Sequence, residues 1–167
     1  MSVKLYLPVN DPTVINSSTA AAVGDIAGDV TWYKHPTYGW WAVRFVQFLN
    51  AVAYLAGHCV QFCDAARTTV TNDVTGGATA TTGCAAGIVL MVQTQNYFGY
   101  ILAAGHYPLA LTNGDDDIAL GDQIIVSTTD GLCDSATTYT GKHLGYATAA
   151  DVDANNTVAA YIDCPIV

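Results

Sequence analysis

The sequence predicts an all-β fold, a small β-barrel or β-sandwich that follows an extended N-terminal arm. The 167 residues include 20 Thr, 17 Val and 10 Tyr, which are residue types that favour strands. Glu is absent, and Lys and Arg together number five, so the chain lacks the side chains that usually cover exposed helix faces. After residue 83, turn signals recur at intervals of roughly 10–15 residues, which is typical of strands in small barrels and sandwiches.

Residues 1–31 are expected to form the arm. Turn signals at Asp11-Pro12, Ser17-Ser18 and Gly28 separate short apolar patches, and no apolar period of 3.6 residues is sustained. A segment this rich in Ser, Thr, Ala and Val buries little apolar surface by itself, so we expect it to become ordered by lying across a neighbouring molecule. Its first ten residues contain no continuous apolar run, and no secretory signal peptide is expected there. The β domain then spans residues 32–167.

An aromatic segment with turn signals, Thr31–Trp41, lies at the start of this domain. Apolar residues alternate after Trp41, which predicts a strand, whereas residues 47–55 fit a strand or a short helix equally well. Residues 68–82 are rich in Thr and Gly and indicate a loop or an edge hairpin.

Two long stretches without a formal charge, Phe45–Cys63 and Gly83–Leu111, raise the question of a membrane span. Polar side chains such as Gln47, His58 and Gln93 interrupt these stretches, and each would need a hydrogen-bonding partner in lipid. We therefore expect strands that are buried on both faces, or on one face and in a subunit contact.

An internal near-repeat indicates a duplicated β unit. The first unit opens with Leu55-Ala56-Gly57-His58 and the second with Ala119-Leu120-Gly121-Asp122, and an alternating apolar strand follows each opening. Each unit continues with a strand that carries a glycine among small residues, Gly87 in the first and Gly145 in the second, which indicates close backbone approach. A further copy of the opening is predicted at Ala103-Ala104-Gly105-His106.

The second unit resembles a known protein family. The Gly121-Asp122 opening with its alternating strand, the Asp130-Gly131 turn, a Gly-x-Ala-x-Ala strand and a terminal apolar strand are similar to the small β-rich capsid decoration (cement) proteins of tailed bacteriophages. The resemblance covers about Trp32 to Ile162. The chain departs from the family pattern where His58 and His106 replace the usual Asp, and in having five cysteines.

The resemblance implies a non-enzymatic virion protein that binds the outer surface of an icosahedral phage head and stabilises it. Its partner would be the major capsid protein of the same virus, its location the capsid surface, and its place of assembly the host cytoplasm. The family supplies no catalytic residues. Other assignments stay open at this point: a tail- or fibre-associated or minor capsid subunit, a secreted carbohydrate-binding β-sandwich, or a small hydrolase.

The charge balance independently favours a protein partner. A net charge of −9 with only five basic residues does not supply a phosphate-neutralising surface, which argues against nucleic-acid binding. Isolated β proteins guard their sheet edges with charges, especially Lys, or with Pro, and this chain has three Lys and five Pro. We therefore expect a homo-oligomer within a large assembly, held by strand pairing and apolar contacts that depend little on salt.

The cysteines and aspartates are the candidate metal ligands. The group His58-Cys59-x3-Cys63 lacks the second pair of a structural zinc site, since Cys84, Cys133 and Cys164 are scattered, so buried thiols are favoured over zinc or a single disulfide. The run Asp115–Asp117 offers oxygen ligands for calcium but lacks the known loop spacing, and a solvated turn is favoured. No metal or cofactor is expected. No serine stands in a Gly-x-Ser-x-Gly motif, and no catalytic residue is predicted.

An aromatic cluster is the remaining candidate site. Large aromatic side chains either fill a core or anchor a protein contact, and they also stack on sugar rings. We expect a division between core and interface, with a partner interface drawn from the following residues: Trp32, Tyr33, Tyr38, Trp40 and Trp41.

Overall fold

The computed structural model describes residues 11–20, 25–49, 53–73, 84–114, 118–136, 142–151 and 156–164. Within these ranges there is no α-helix, and ten strands form one sheet, which confirms the predicted all-β class. The strands are β1 (Val30–His35), β2 (Gly39–Phe48), β3 (Cys59–Phe62), β4 (Thr69–Thr71), β5 (Ala85–Val89), β6 (Phe98–Leu111), β7 (Gln123–Val126), β8 (Cys133–Ala136), β9 (His143–Ala147) and β10 (Thr157–Asp163).

Five strands form a ring in the first half of the molecule. β2 pairs in parallel with β4, and the antiparallel pairs β4–β3, β3–β5 and β5–β6 follow. The ring closes because β6 also pairs with β2, from Gln47↔Phe98 to Ala42↔Ala104. β1 pairs with the first half of β2. It lies on the same side of β2 as β4, which pairs with the end of that strand.

β6 carries the sheet into the second half. This 14-residue strand pairs along its C-terminal half with β10, and the order continues through β9 and β7 to β8. An isolated bridge between Thr112 and Cys133 brings the start of β8 beside the end of β6. One long strand therefore belongs to both halves of the protein.

Two hydrophobic clusters fill the protein, and the strands between them are buried on both faces. In β6, for example, Ile101 belongs to the smaller cluster, whereas its neighbours Tyr100 and Leu102 belong to the larger one. All five residues of β5 are buried, as are most residues of β2. β5 and β6 come from the uncharged stretch Gly83–Leu111, and the end of β2 comes from Phe45–Cys63, so the expectation of strands buried on both faces is confirmed there. Nowhere in the described ranges is there a helix with the length and apolar character needed to span a membrane.

One turn conformation occurs three times, and the first copy was not predicted. Its glycine has a φ of +91° or +96°, a left-handed conformation that glycine adopts without strain. Each glycine donates its amide hydrogen to a strand carbonyl; the pairs are Gly28 to Phe45, Gly57 to Val89 and Gly121 to Ala147, at 2.7, 2.9 and 2.9 Å. The same strand residue donates back to the carbonyl of the residue after the glycine; these are Asp29, His58 and Asp122, at 3.0, 2.9 and 2.8 Å.

The two openings predicted at Gly57 and Gly121 therefore share one geometry, and the unpredicted copy lies at Gly28. The predicted opening at Gly105 is wrong, because this residue lies inside β6 and packs against the backbone of Trp40 and Trp41. The copies at Gly57 and Gly121 also share the bulge that follows the turn.

That bulge lies in the pairing of β3 with β5 in the first unit and of β7 with β9 in the second unit. In the first unit Val60 pairs with Gly87 and Gln61 with Ala85, so one residue of β5 is skipped. In the second unit Ile124 pairs with Gly145 and Ile125 with His143, and one residue of β9 is skipped. Both units therefore place a glycine at the bulge, where the next strand approaches closely.

The described part of the predicted arm lies against this same chain. Ser17 exchanges two backbone hydrogen bonds with Phe98 at the start of β6, at 2.9 and 2.6 Å. Gln93 donates its side-chain amide to the carbonyl of Ile15 at 2.9 Å, and the Tyr100 hydroxyl donates to Asp25. These described residues therefore contact their own chain, and the expectation that the arm becomes ordered across a neighbouring molecule stays a prediction. In addition, β1 begins at Val30, so the predicted boundary at residues 31 and 32 falls inside a strand.

In the turn at Gly57, His58 occupies the position that Asp122 occupies in the turn at Gly121. Its side chain makes a hydrogen bond equivalent to that of Asp122. Its Nδ1 accepts the amide hydrogen of Leu55 at 3.3 Å, as an Asp122 carboxylate oxygen accepts that of Ala119 at 2.8 Å. Nδ1 also accepts from the Asn72 side chain at 3.2 Å, which requires the neutral ring. Burial lowers the pKa of His58 below its ordinary value of 6.5, and burial also lowers the pKa of His143, although Asp163 opposes that shift.

These two histidines predict a loss of stability in mild acid. Because their pKa values are lower in the folded chain than in the unfolded chain, the unfolded chain binds more protons below about pH 6.5, and stability falls as the pH falls. The variant His58→Asn keeps an acceptor for the Leu55 amide, so we expect it to fold at pH 7 and to lose less stability between pH 7 and pH 5. Urea denaturation at both pH values measures the difference. An unchanged pH dependence in the variant would contradict the assignment to His58.

Candidate functional site: an exposed aromatic row

The structure divides the five predicted interface residues between core and surface. Trp40 and Tyr38 are exposed, at 55% and 36%, and Trp41 is buried at 2%. Trp32 and Tyr33 are half-buried. Cross-strand pairing explains the difference between the two adjacent tryptophans, because Trp40 lies opposite Lys34, whereas Trp41 lies opposite Tyr33 on the face that packs against the larger cluster.

A stack of rings fixes the tip of the β1–β2 hairpin. The His35 ring stacks on the rings of both Tyr38 and Trp41, with centroid separations of 4.7 and 4.3 Å, and the Tyr38 and Trp41 rings lie 6.2 Å apart. His35 Nδ1 accepts the amide hydrogens of Thr37 and Tyr38, both at 3.1 Å, and Trp41 Nε1 donates to the carbonyl of His106 at 2.9 Å. The exposed Tyr38 ring is therefore held on a rigid support.

A row of exposed and half-buried side chains crosses the neighbouring strands in register. Tyr161 of β10 lies opposite His106 of β6 on one side and opposite Tyr146 of β9 on the other, and Tyr146 lies opposite Gln123 of β7. Tyr161 is 51% exposed and Tyr146 is 47% exposed. The Tyr38 ring lies 5.6 Å from the His106 ring and extends the row toward the hairpin. We call Tyr38, His106, Tyr161 and Tyr146 the aromatic row.

The aromatic row combines apolar rings with polar groups that can form hydrogen bonds. His106 Nε2 lies 3.1 Å from Thr148 Oγ1, and at the other end of the row Gln123 Nε2 lies 2.9 Å from His143 Nδ1. The Tyr146 ring meets the His143 ring edge to face at 5.1 Å. Tyrosine offers a large apolar ring and one hydroxyl, which is the composition of protein-contact anchors and of surfaces that bind neutral polar groups.

Sequence reasoning missed Tyr146 and Tyr161 as surface residues. Tyr161 could have been identified from the strand alternation of β10. Side chains there are alternately buried and more exposed from Val158 to Asp163, and Tyr161 points outward. In β9, however, the bulge before Tyr146 shifts the alternation by one residue. The prediction followed the aromatic content of Thr31–Trp41, although two of the four exposed aromatic side chains in the described ranges, Tyr146 and Tyr161, lie more than 100 residues later.

The predicted arm reaches the edge of this region. Burial raises the pKa of the Tyr33 hydroxyl, and the charge of Asp11 and a hydrogen bond to Asp11 raise it further. Asp11 in turn accepts hydrogen bonds from the backbone and the side chain of Thr13, at 2.9 and 2.7 Å. Residues 11–13 therefore lie beside the half-buried part of the predicted interface.

The five cysteines are all thiols, and three of them meet in the larger cluster. Burial raises the pKa of Cys59 well above its ordinary value, and a hydrogen bond with Cys133 adds to the shift. Burial raises the pKa of Cys164 to about 12. These thiols act as small apolar side chains. Among the described residues, no group of three His, Cys or Asp side chains is arranged to hold a metal ion, and the predicted Asp115–Asp117 turn lies outside those residues.

No protein-family model matches the chain, and no curated protein sequence matches it.

Proposed function

We propose that the protein is a non-enzymatic structural subunit of a virion, and that it decorates and stabilises the outer surface of an icosahedral phage head. Its partner is then the major capsid protein of the same virus. The observation that carries the proposal is the aromatic row, a rigid, exposed, tyrosine-rich surface in a chain that has few charged side chains to offer a partner.

The repeated turn also supports the proposal. The resemblance to decoration proteins rests on the opening glycine, the alternating strand after it and the glycine of the next strand. In the structure these residues form one unit with the same hydrogen bonds and the same bulge at Gly57 and at Gly121. His58, where the sequence departs from the family pattern, makes the bond that an aspartate makes in the other copy. The departure therefore leaves the turn intact.

Co-sedimentation with virus particles tests the proposal. The tagged chain is expressed in cells infected by the virus that carries its gene, and the particles are separated on a density gradient. We expect the chain in the fraction of intact heads, and electron microscopy is expected to show its density on the outer shell surface. Density confined to the tail supports the alternative virion role. A chain that remains at the top of the gradient and binds polysaccharide contradicts the proposal and supports the carbohydrate-binding alternative.

A further inference from the structure

We propose that the loop after β3 forms a binding site for one small oxyanion, a phosphate, sulfate or carboxylate group, which Arg67 holds. A cavity of about 190 Å³ lies at this loop, and its lining residues are Phe62, Asp64, Ala65, Arg67 and Cys84. The cavity is large enough for such a group, since one water molecule takes about 30 Å³ of liquid volume. The site is separate from the aromatic row and does not rest on the proposed function.

The first argument is an unused donor. Arg67 Nη1 is buried, and it has no hydrogen-bond acceptor among the described residues. A buried cationic donor without an acceptor is costly, because it has lost water and gained nothing in return. An oxyanion in the cavity supplies the opposite charge, and it becomes the missing acceptor when the Arg67 side chain turns Nη1, which is not open to the cavity, toward it.

The second argument is the concentration of positive charge at this point. The chain has two arginines, and both guanidinium groups lie near the Phe62 ring, with Arg44 5.2 Å and Arg67 5.8 Å from its centroid. Burial lowers the pKa of Arg44, and the charge of Arg67 lowers it further, so the two cations repel each other. A bound anion would relieve this repulsion, which persists locally although the whole chain has a net charge of −9.

The carboxylate that lines the cavity is already engaged. Asp64 Oδ1 accepts the amide hydrogens of Thr68 at 2.9 Å and Thr69 at 3.3 Å, and Oδ2 accepts the Thr68 hydroxyl. Burial opposes ionisation of Asp64, but these hydrogen bonds prevail and lower its pKa. Asp64 therefore shapes the loop, and its acceptors are directed at the backbone and hydroxyl of residues 68 and 69.

The backbone of Arg67 supplies the third argument. Its φ is +58°, a left-handed conformation that glycine or asparagine adopts more readily than arginine. A strained residue in a cavity wall indicates that the side chain has a role that offsets the strain. In this loop the role is to present a forked cation to the cavity.

Titration with inorganic phosphate and with acetate, each at constant ionic strength, tests the site. Backbone amide NMR signals of residues 64–69 follow binding directly, and the melting temperature gives a second readout. We expect saturable shifts with at least one anion and a higher melting temperature. Phosphate alone indicates a phosphate or sulfate ligand, and acetate alone indicates a carboxylate, such as an acidic side chain of a partner.

Two variants separate the site from general salt effects. Arg67→Gly suits the left-handed backbone, so we expect it to fold at least as stably as the wild type and to bind the anion at least about tenfold more weakly. Lys34→Gln removes the same charge from an exposed position on β1 and is expected to bind like the wild type. The proposal is overturned if neither anion gives saturable shifts, or if Arg67→Gly binds as tightly as Lys34→Gln.

Discussion

Replacing Gly145 with alanine is expected to prevent stable folding. A Cβ atom at this position would lie 2.0 Å from the carbonyl oxygen of Tyr161 and 2.9 Å from the Cα atom of Ile162, both on the backbone of β10. Relief of this contact requires β9 and β10 to separate, which breaks their pairing in the middle of the sheet. We expect a loss of about 4 kcal/mol or more, which is a large share of the roughly 5–15 kcal/mol that stabilises an ordinary domain. Soluble expression and urea denaturation, followed by tryptophan fluorescence, measure it.

Gly121→Ala is the matched control for this experiment. Gly121 has a φ of +91°, but a Cβ atom there would have no neighbour within 4 Å. The variant therefore loses only about 1–2 kcal/mol of stability, the amount that a left-handed backbone costs a residue with a Cβ atom. We expect it to remain folded. If Gly145→Ala proves as stable as Gly121→Ala, the close approach of β9 and β10 is not present in the protein.

The repeat made much of this fold predictable. Alternating residues after Gly57 and Gly121 predicted β3 and β7, and the small residues around Gly87 and Gly145 predicted the close approach that the structure shows. These features follow from local sequence, because a strand that passes close to a neighbour's backbone requires a residue without a side chain.

Other parts of the repeat could not be recognised from residue types alone. The first copy, at Gly28, lay in a segment that was interpreted as an arm, because its glycine is one turn signal among several. Conversely, Gly105 precedes a histidine, as Gly57 does, yet it lies inside β6, where it accommodates the backbone of Trp40 and Trp41. What defines the turn is a pair of backbone hydrogen bonds to a strand more than 15 residues away, and that pairing is a tertiary property.

The candidate site was predictable only in part for a similar reason. Trp40 and Tyr38 were named from the aromatic segment and are exposed, whereas Trp41 is in the core. His106, Tyr146 and Tyr161 are successively 40 and 15 residues apart in sequence and become neighbours only through the pairing of β6, β10 and β9. A surface that crosses several strands is not visible in the order of residues along the chain.

Removal of two of the three exposed tyrosines of the row, Tyr146 and Tyr161, is expected to abolish binding to virus particles. The double variant Tyr146→Ser, Tyr161→Ser removes two directly opposed rings that are each about half exposed. Central aromatic anchors contribute about 2 kcal/mol or more each in protein interfaces, so we expect a loss of affinity of at least about 100-fold. Fold stability should change little, since a cross-strand pair contributes about 0.2–1 kcal/mol. Co-sedimentation with purified heads that lack the protein measures the binding.

Leu120→Ser is the control, because Leu120 is 71% exposed but lies in the turn before β7, outside the aromatic row. We expect this variant to bind like the wild type. Raising the salt concentration should weaken wild-type binding only slightly, because the tyrosines of the row carry no formal charge. If the double variant occupies the heads as fully as Leu120→Ser does, while urea denaturation shows both to be folded, then a different surface of the chain makes the contact.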